Sequence, residues 1–129
     1  VVSYTVETDG ALPTGQSLAE AIAENDAIGA ARPAYYMINC AHPDHFSAVL
    51  DGGGAWRQRI RGVRANASRM SHAELDACAH LDDGNPHELG RQNAALRQHL
   101  PALNVFGGCC GTDHRHVAQI CAALRETSS

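Results

Sequence analysis

The chain has 129 residues, 44% of them hydrophobic, with ten basic and fourteen acidic side chains and a formal charge of −4. It contains no uncharged apolar run of about 18 residues and no signal-peptide pattern, which reads as a soluble globular domain expected in the cytoplasm, with no membrane partner. The basic residues are all arginine and are scattered rather than striped, so the electrostatic footprint of a nucleic-acid binder is missing.

Strand-like and helix-like segments alternate along the chain. Val1 to Glu7 predicts a strand, and Asp9 to Gly15 a glycine-containing loop. Ser17 and Glu20 then form a capping box for a helix with Leu18, Ala21 and Ile22 on its apolar stripe. Tyr35 to Cys40 predicts the second strand, followed by a short helix through Phe46, Val49 and Leu50. Ile60 to Asn66 is a weaker third strand. After it, Ser71 and Glu74 make another capping box, and Asn85-Pro86-His87-Glu88 opens a longer helix with Leu89, Leu96 and Leu100. The fourth strand, Leu103 to Phe106, runs into glycines and a cysteine pair. Thr112 is the expected cap of a last helix with Val117, Ile120, Cys121 and Leu124 at helical spacing.

These are four βα units of about 32 residues each, close to the roughly 31 per unit of an eight-unit barrel of about 250 residues. The expected fold is α/β, the C-terminal half of a TIM-type (β/α)8 barrel. Active-site residues of such barrels lie at the C-terminal ends of strands, where Cys40, Asn66, Cys109 and Cys110 fall.

Adjacent cysteines behind Gly107 and Gly108 are hard to explain as packing, and Cys40 ends a second apolar run of the same kind. Zn²⁺ takes tetrahedral thiolate ligands at about 2.3 Å, and a catalytic site keeps three protein ligands and one open position. Cys40, Cys109 and Cys110 supply such a set. If their strands lie two positions apart in one parallel sheet, the backbones are roughly 10 Å apart and inward-leaning side chains close the gap. Neighbouring strand residues point to opposite faces, so the cysteine pair requires the backbone to leave strand geometry, which Gly107, Gly108 and Gly111 permit. A vicinal Cys109–Cys110 disulfide is the competing redox reading, one that leaves Cys40 without a purpose.

The remaining candidates have plainer readings. Cys78 and Cys121 read as small buried hydrophobes. His42, His45, His114 and His116 read as solvated polar side chains rather than competing ligands, and Glu7 and Asp9 as solvated loop carboxylates. Asp82-Asp83-Gly84-Asn85 lacks the other ligands of a calcium loop and predicts a turn before a capped helix.

Ile38-Asn39-Cys40 and Phe106-Gly107-Gly108-Cys109-Cys110-Gly111-Thr112 resemble, in order and spacing, the zinc-binding motifs of the homocysteine S-methyltransferase family. Ser3-Tyr4-Thr5-Val6 with Asp9-Gly10 and Gly15 resembles that family's fifth-strand segment, so the resemblance spans nearly all of residues 1–129 as strands five to eight of the barrel. It implies that Cys40, Cys109 and Cys110 hold Zn²⁺, which binds the thiol of homocysteine, and that a sulfonium donor such as S-methylmethionine or S-adenosylmethionine supplies a methyl group to give methionine. Where the family reads Tyr-Pro-Asn-Ser-Gly, this chain has Arg64-Ala65-Asn66-Ala67-Ser68, keeping the asparagine, which is the expected substrate-binding residue. The family's first four strands, with the acidic residue that holds the substrate amino group, have no counterpart here. The expectation is therefore of a gene fragment, or of a chain that needs the missing half-barrel or a second chain. The alternative is a non-catalytic or redox-active metal-binding half-barrel completed by a partner.

Overall fold

The computed structural model describes residues 1–28, 32–51, 54–77 and 82–127, the side chain of Thr127 aside. Cys78 lies outside them. Strands β1 (Val2–Thr5), β2 (Tyr36–Asn39), β3 (Ile60–Ala65) and β4 (Val105–Gly108) form one parallel sheet in chain order. Between and after them come helices α1 (Leu18–Ala27), α2 (Pro43–Leu50), α3 (His72–Ala77), α4 (Pro86–Ala95) and α5 (His114–Thr127), with 3₁₀ turns at Ala55–Arg59 and Leu96–Gln98. Parallel neighbours in sequential order, joined through helices, are compatible with half of a barrel.

Local chemistry starts the helices where the sequence places them. Ser17 Oγ accepts from the Glu20 amide at 3.2 Å. Ser71 and Glu74 close both bonds of their capping box, at 3.2 and 3.1 Å, and Asn85 accepts from the Glu88 amide at 3.1 Å with Pro86 opening α4. Each such cap contributes about 1 kcal/mol by satisfying an end amide that the helix itself cannot pair.

The last helix departs from expectation. Thr112 does not cap α5; its hydroxyl donates to the Cys109 carbonyl at 2.7 Å, while the Asp113 carboxylate accepts from the Arg115 amide at 2.9 Å. The buried stripe of α5 is His116, Ile120 and Ala123, so Val117 and Cys121, one position further round, are exposed. Cys121 is thus not a core residue: burial of His116 sets the phase of the helix.

The core lies between the sheet and the helices and is built from Tyr36, Ile38, Ile60 and Val63 of the strands with Leu18, Ile22, Phe46, Leu50, Leu89, Leu96 and Leu100. On the other face of the sheet, Ser3 donates to Asn39 and Asn39 to Thr5, at 2.7 and 3.1 Å. Helices α4 and α5 approach closely enough that a Cβ on Gly90 would meet the Gln119 backbone at 2.6 Å.

At the N-terminal end of the sheet, Arg59 donates to both carboxylate oxygens of Asp26 and to the Pro33 and Ala34 carbonyls, and its guanidinium stands 5.2 Å over the Tyr36 ring. The Arg59 guanidinium holds the Asp26 carboxyl well below the usual carboxylate range. This network ties α1, β2 and the 3₁₀ turn that leads into β3, at the end away from the cysteines.

Candidate metal centre

The chain reaches the cysteines by leaving two strands that are not neighbours. β3 separates β2 from β4, yet the Cα atoms of Cys40 and Cys109 are 5.3 Å apart, about half the roughly 10 Å expected from two strand spacings. The two chains bend over the end of β3. Cys40 adopts a φ of +55°, a left-handed conformation that costs a non-glycine residue about 1–2 kcal/mol and concentrates at functional sites. Its amide donates to the Arg64 carbonyl at 2.9 Å, and the Cys109 amide donates to the Ala65 carbonyl at 2.9 Å.

Gly107 and Gly108 remain within β4, paired with Arg64 and Ala65, so the turn itself begins only at the cysteines. A side chain on Gly108 would strike Thr112, which packs beneath the turn. Gly111, at φ +79°, takes the turn's left-handed position and leaves no room for a Cβ against the Asp82 carbonyl. Gly108 therefore serves close approach, and Gly111 both close approach and bending.

The segment after β3 completes the scaffold. The Asn66 amide donates to the Ala41 carbonyl at 3.0 Å, the Asn66 Oδ1 accepts from the Cys110 amide at 3.1 Å, and the Ala67 amide donates to the Cys110 carbonyl at 3.0 Å. Asn66 is 1% exposed. Its side-chain carbonyl is thus directed at the cysteine loop, a partner that its position at a strand end did not reveal.

The three sulfurs lie within 4.8 Å of one another, the only group of this kind among the described residues. Cys40 and Cys109 are half-buried and joined as a disulfide, while Cys110 is an exposed free thiol. The bonded pair is therefore not the vicinal one, and Cys40 takes part in it. Tetrahedral coordination at about 2.3 Å sets the sulfurs roughly 3.8 Å apart. Once the disulfide is reduced, the donor set fits a thiophilic ion in chemistry and span, with Cys110 open to solvent.

Among the described residues no histidine joins this cluster. His42 is 2% exposed and its Nδ1 caps α2 by accepting from the Asp44 amide at 3.1 Å; burial pushes the ring's pKa down to about 4. His45 Nε2 lies 2.7 Å from the Arg69 carbonyl. His116 is fully buried between the Asp113 amide, on Nδ1 at 3.0 Å, and the Asp83 carbonyl, on Nε2 at 2.7 Å. The solvated reading thus fails for His42 and His116, because each ring satisfies backbone groups that folding would otherwise orphan; the His-x-Asp step at Pro43 and the His116 spacing from Asp113 were the available signals. His114 is exposed at the start of α5. Asp9 is exposed and caps its own turn, its carboxylate accepting from the Ala11 amide at 3.0 Å; Glu7 is half-buried. The Asp82–Gly84 turn forms as expected, with the Gly84 amide on the Asp82 carboxylate at 3.0 Å.

Among the described residues no helix is long and apolar enough to cross a membrane. No curated protein and no solved structure gives a significant match to the sequence. Residues 1–124 do match one family model, which takes in every strand and all three clustered cysteines, and by that match the chain belongs to the homocysteine S-methyltransferase family.

Proposed function

We propose that residues 1–129 are the C-terminal half of a TIM-type barrel, strands five to eight, of a zinc-dependent homocysteine S-methyltransferase, with Cys40, Cys109 and Cys110 as the metal ligands. The observation that carries this reading is the convergence of three cysteine sulfurs within 4.8 Å from two separate strand ends, in a chain of this family. The donor set suits Zn²⁺, which when bound deprotonates a coordinated thiol and keeps it nucleophilic at neutral pH.

The chain's own residues do the rest of the work. The Arg64 and Ala65 carbonyls hold the amides of Cys40 and Cys109, so both sulfurs are presented on the same side of the β3 end. Cys110, exposed, leaves the solvent side of the cluster open for an incoming thiol. Cys40, Cys109 and Cys110, as thiolates holding a divalent ion, would give the site a net negative charge, which would leave the sulfur of homocysteine electron-rich. That sulfur attacks the methyl carbon of a sulfonium donor, S-methylmethionine or S-adenosylmethionine. A new S–CH₃ bond forms to give methionine, and the donor sulfur departs with the bonding pair as a neutral thioether. The substrate thiol's proton is lost before transfer, so no general base is needed during it. The missing half-barrel or a second chain supplies the contacts to the substrate's amino group.

A second reading has one observation in its favour: the Cys40–Cys109 disulfide supports a redox-active half-barrel. Zinc content of the chain purified under reducing conditions separates the two. One zinc per chain, lost in Cys109→Ala, together with methyl transfer to homocysteine once the missing half is restored, supports the methyltransferase; no zinc in the reduced chain sinks it.

A further inference from the structure

We propose that Asn66 is the positioning residue of the cysteine cluster, acting through Cys110 rather than by touching substrate; the inference rests on the metal-site reading above. Two adjacent cysteines on a regular strand point to opposite faces. For both to serve one ion the chain has to turn between them, and that turn takes the Cys110 amide out of the ladder with β3. The amides of Cys40 and Cys109 keep main-chain acceptors, the carbonyls of Arg64 and Ala65. The Cys110 amide does not: its acceptor is the Oδ1 of Asn66, 44 positions away in the sequence, at 3.1 Å.

Asn66 is suited to this by both size and charge. Its own amide is fixed to the Ala41 carbonyl at 3.0 Å, next to Cys40, so one residue ties the Cys40 turn to the Cys110 turn. The Ala67 amide on the Cys110 carbonyl closes the same link from the other side at 3.0 Å. Asn66 is 1% exposed, so the acceptor is held inside the fold, and taking it away without a substitute leaves a part-buried amide without its partner, which is costly. An aspartate would offer the same acceptor but place a fourth negative charge against three thiolates and oppose their ionisation. A leucine fills the volume and offers no acceptor.

The test is cobalt(II) titration of the reduced chain, following the thiolate-to-metal charge-transfer band and the ligand-field bands, for wild type and Asn66→Leu. The expected result is one cobalt per wild-type chain and an affinity about 10- to 100-fold weaker in Asn66→Leu, the range found when groups that orient metal ligands are removed. The ligand-field bands at saturation stay the same, because the donors are the same three sulfurs. Equal affinities overturn the proposal, and so does a change of band positions at saturation, which makes Asn66 a donor itself. Wild type that takes up no cobalt fails at the earlier step and removes the metal reading with it. A measurement on the reduced, metal-free wild type covers the case in which the variant does not fold: amide exchange at Cys110 is slow although the residue is exposed, and exchange at the rate of an unstructured chain overturns the clamp.

Discussion

Cys40 and Cys109 sit with Cα atoms 5.3 Å apart across the end of a strand that separates their own. That proximity follows from two bends, one at the left-handed Cys40 and one after Gly108, each anchored to a carbonyl of β3. It makes the same two sulfurs available either to each other or to an ion, but not to both at once.

The first prediction is that metal binding depends on reduction. Chain purified without reductant shows two fewer titratable thiols than the same chain after reduction, and binds no zinc until reduced. Thiol counting with a chromogenic disulfide, paired with zinc analysis on both samples, checks it. Full zinc uptake by the unreduced chain contradicts the linkage.

Replacing Gly111 with alanine lowers stability by at least about 1–2 kcal/mol, the cost of a side chain in the left-handed region. Its Cβ also meets the Asp82 carbonyl, which belongs to backbone and cannot rotate away. Urea unfolding measures the loss. Because the same turn carries Cys110, zinc affinity falls in parallel, whereas an unchanged midpoint shows that the turn relaxes freely.

His116→Ala costs about 2–4 kcal/mol, since it opens a cavity and leaves the Asp83 carbonyl and the Asp113 amide without their partner. The damage is expected at the start of α5, read as faster amide exchange there. A loss below about 0.5 kcal/mol, the level of an ordinary surface substitution, shows that the ring is dispensable.

Burial, and then the hydrogen bond it donates to the Asp26 carboxylate at 2.8 Å, pushes the Tyr36 phenol up to about 12. The folded state therefore keeps a proton that the unfolded chain releases near pH 10, so this contribution to stability is whole below about 10 and is lost as pH rises towards 12. Absorbance of tyrosinate shows a late ionisation in wild type that Tyr36→Phe removes. In the variant, stability declines less between those pH values. A single titration step near 10 for every tyrosine contradicts the assignment.

Much of the fold is legible in the sequence because its signals are short-ranged. Ser71 and Glu74, or Asn85 and Glu88, are three residues apart, and a cap is satisfied by the turn it begins. Leu89, Leu96 and Leu100 announce buried positions by their spacing, and all three are in the core, although α4 ends at Ala95 and only Leu89 lies on it, Leu96 opening a 3₁₀ turn and Leu100 following that turn. The cysteines could be singled out in the same way, since two of them follow glycines at a strand end and the third ends another apolar run.

What the chain could not declare locally is what depends on partners brought together from far along it. Asn66 stands at a strand end in either description, but only packing sets the Cys110 amide against it, across 44 positions. His116 looks like any polar residue at a helix start until the Asp83 loop covers it and sets the phase that leaves Cys121 outside. By itself, the sequence determined the βα order, the caps of α1, α3 and α4 and the cysteines that end strands. Tertiary structure alone decided how close those cysteines come and what holds them, because a buried amide takes whichever acceptor the folded chain places within reach.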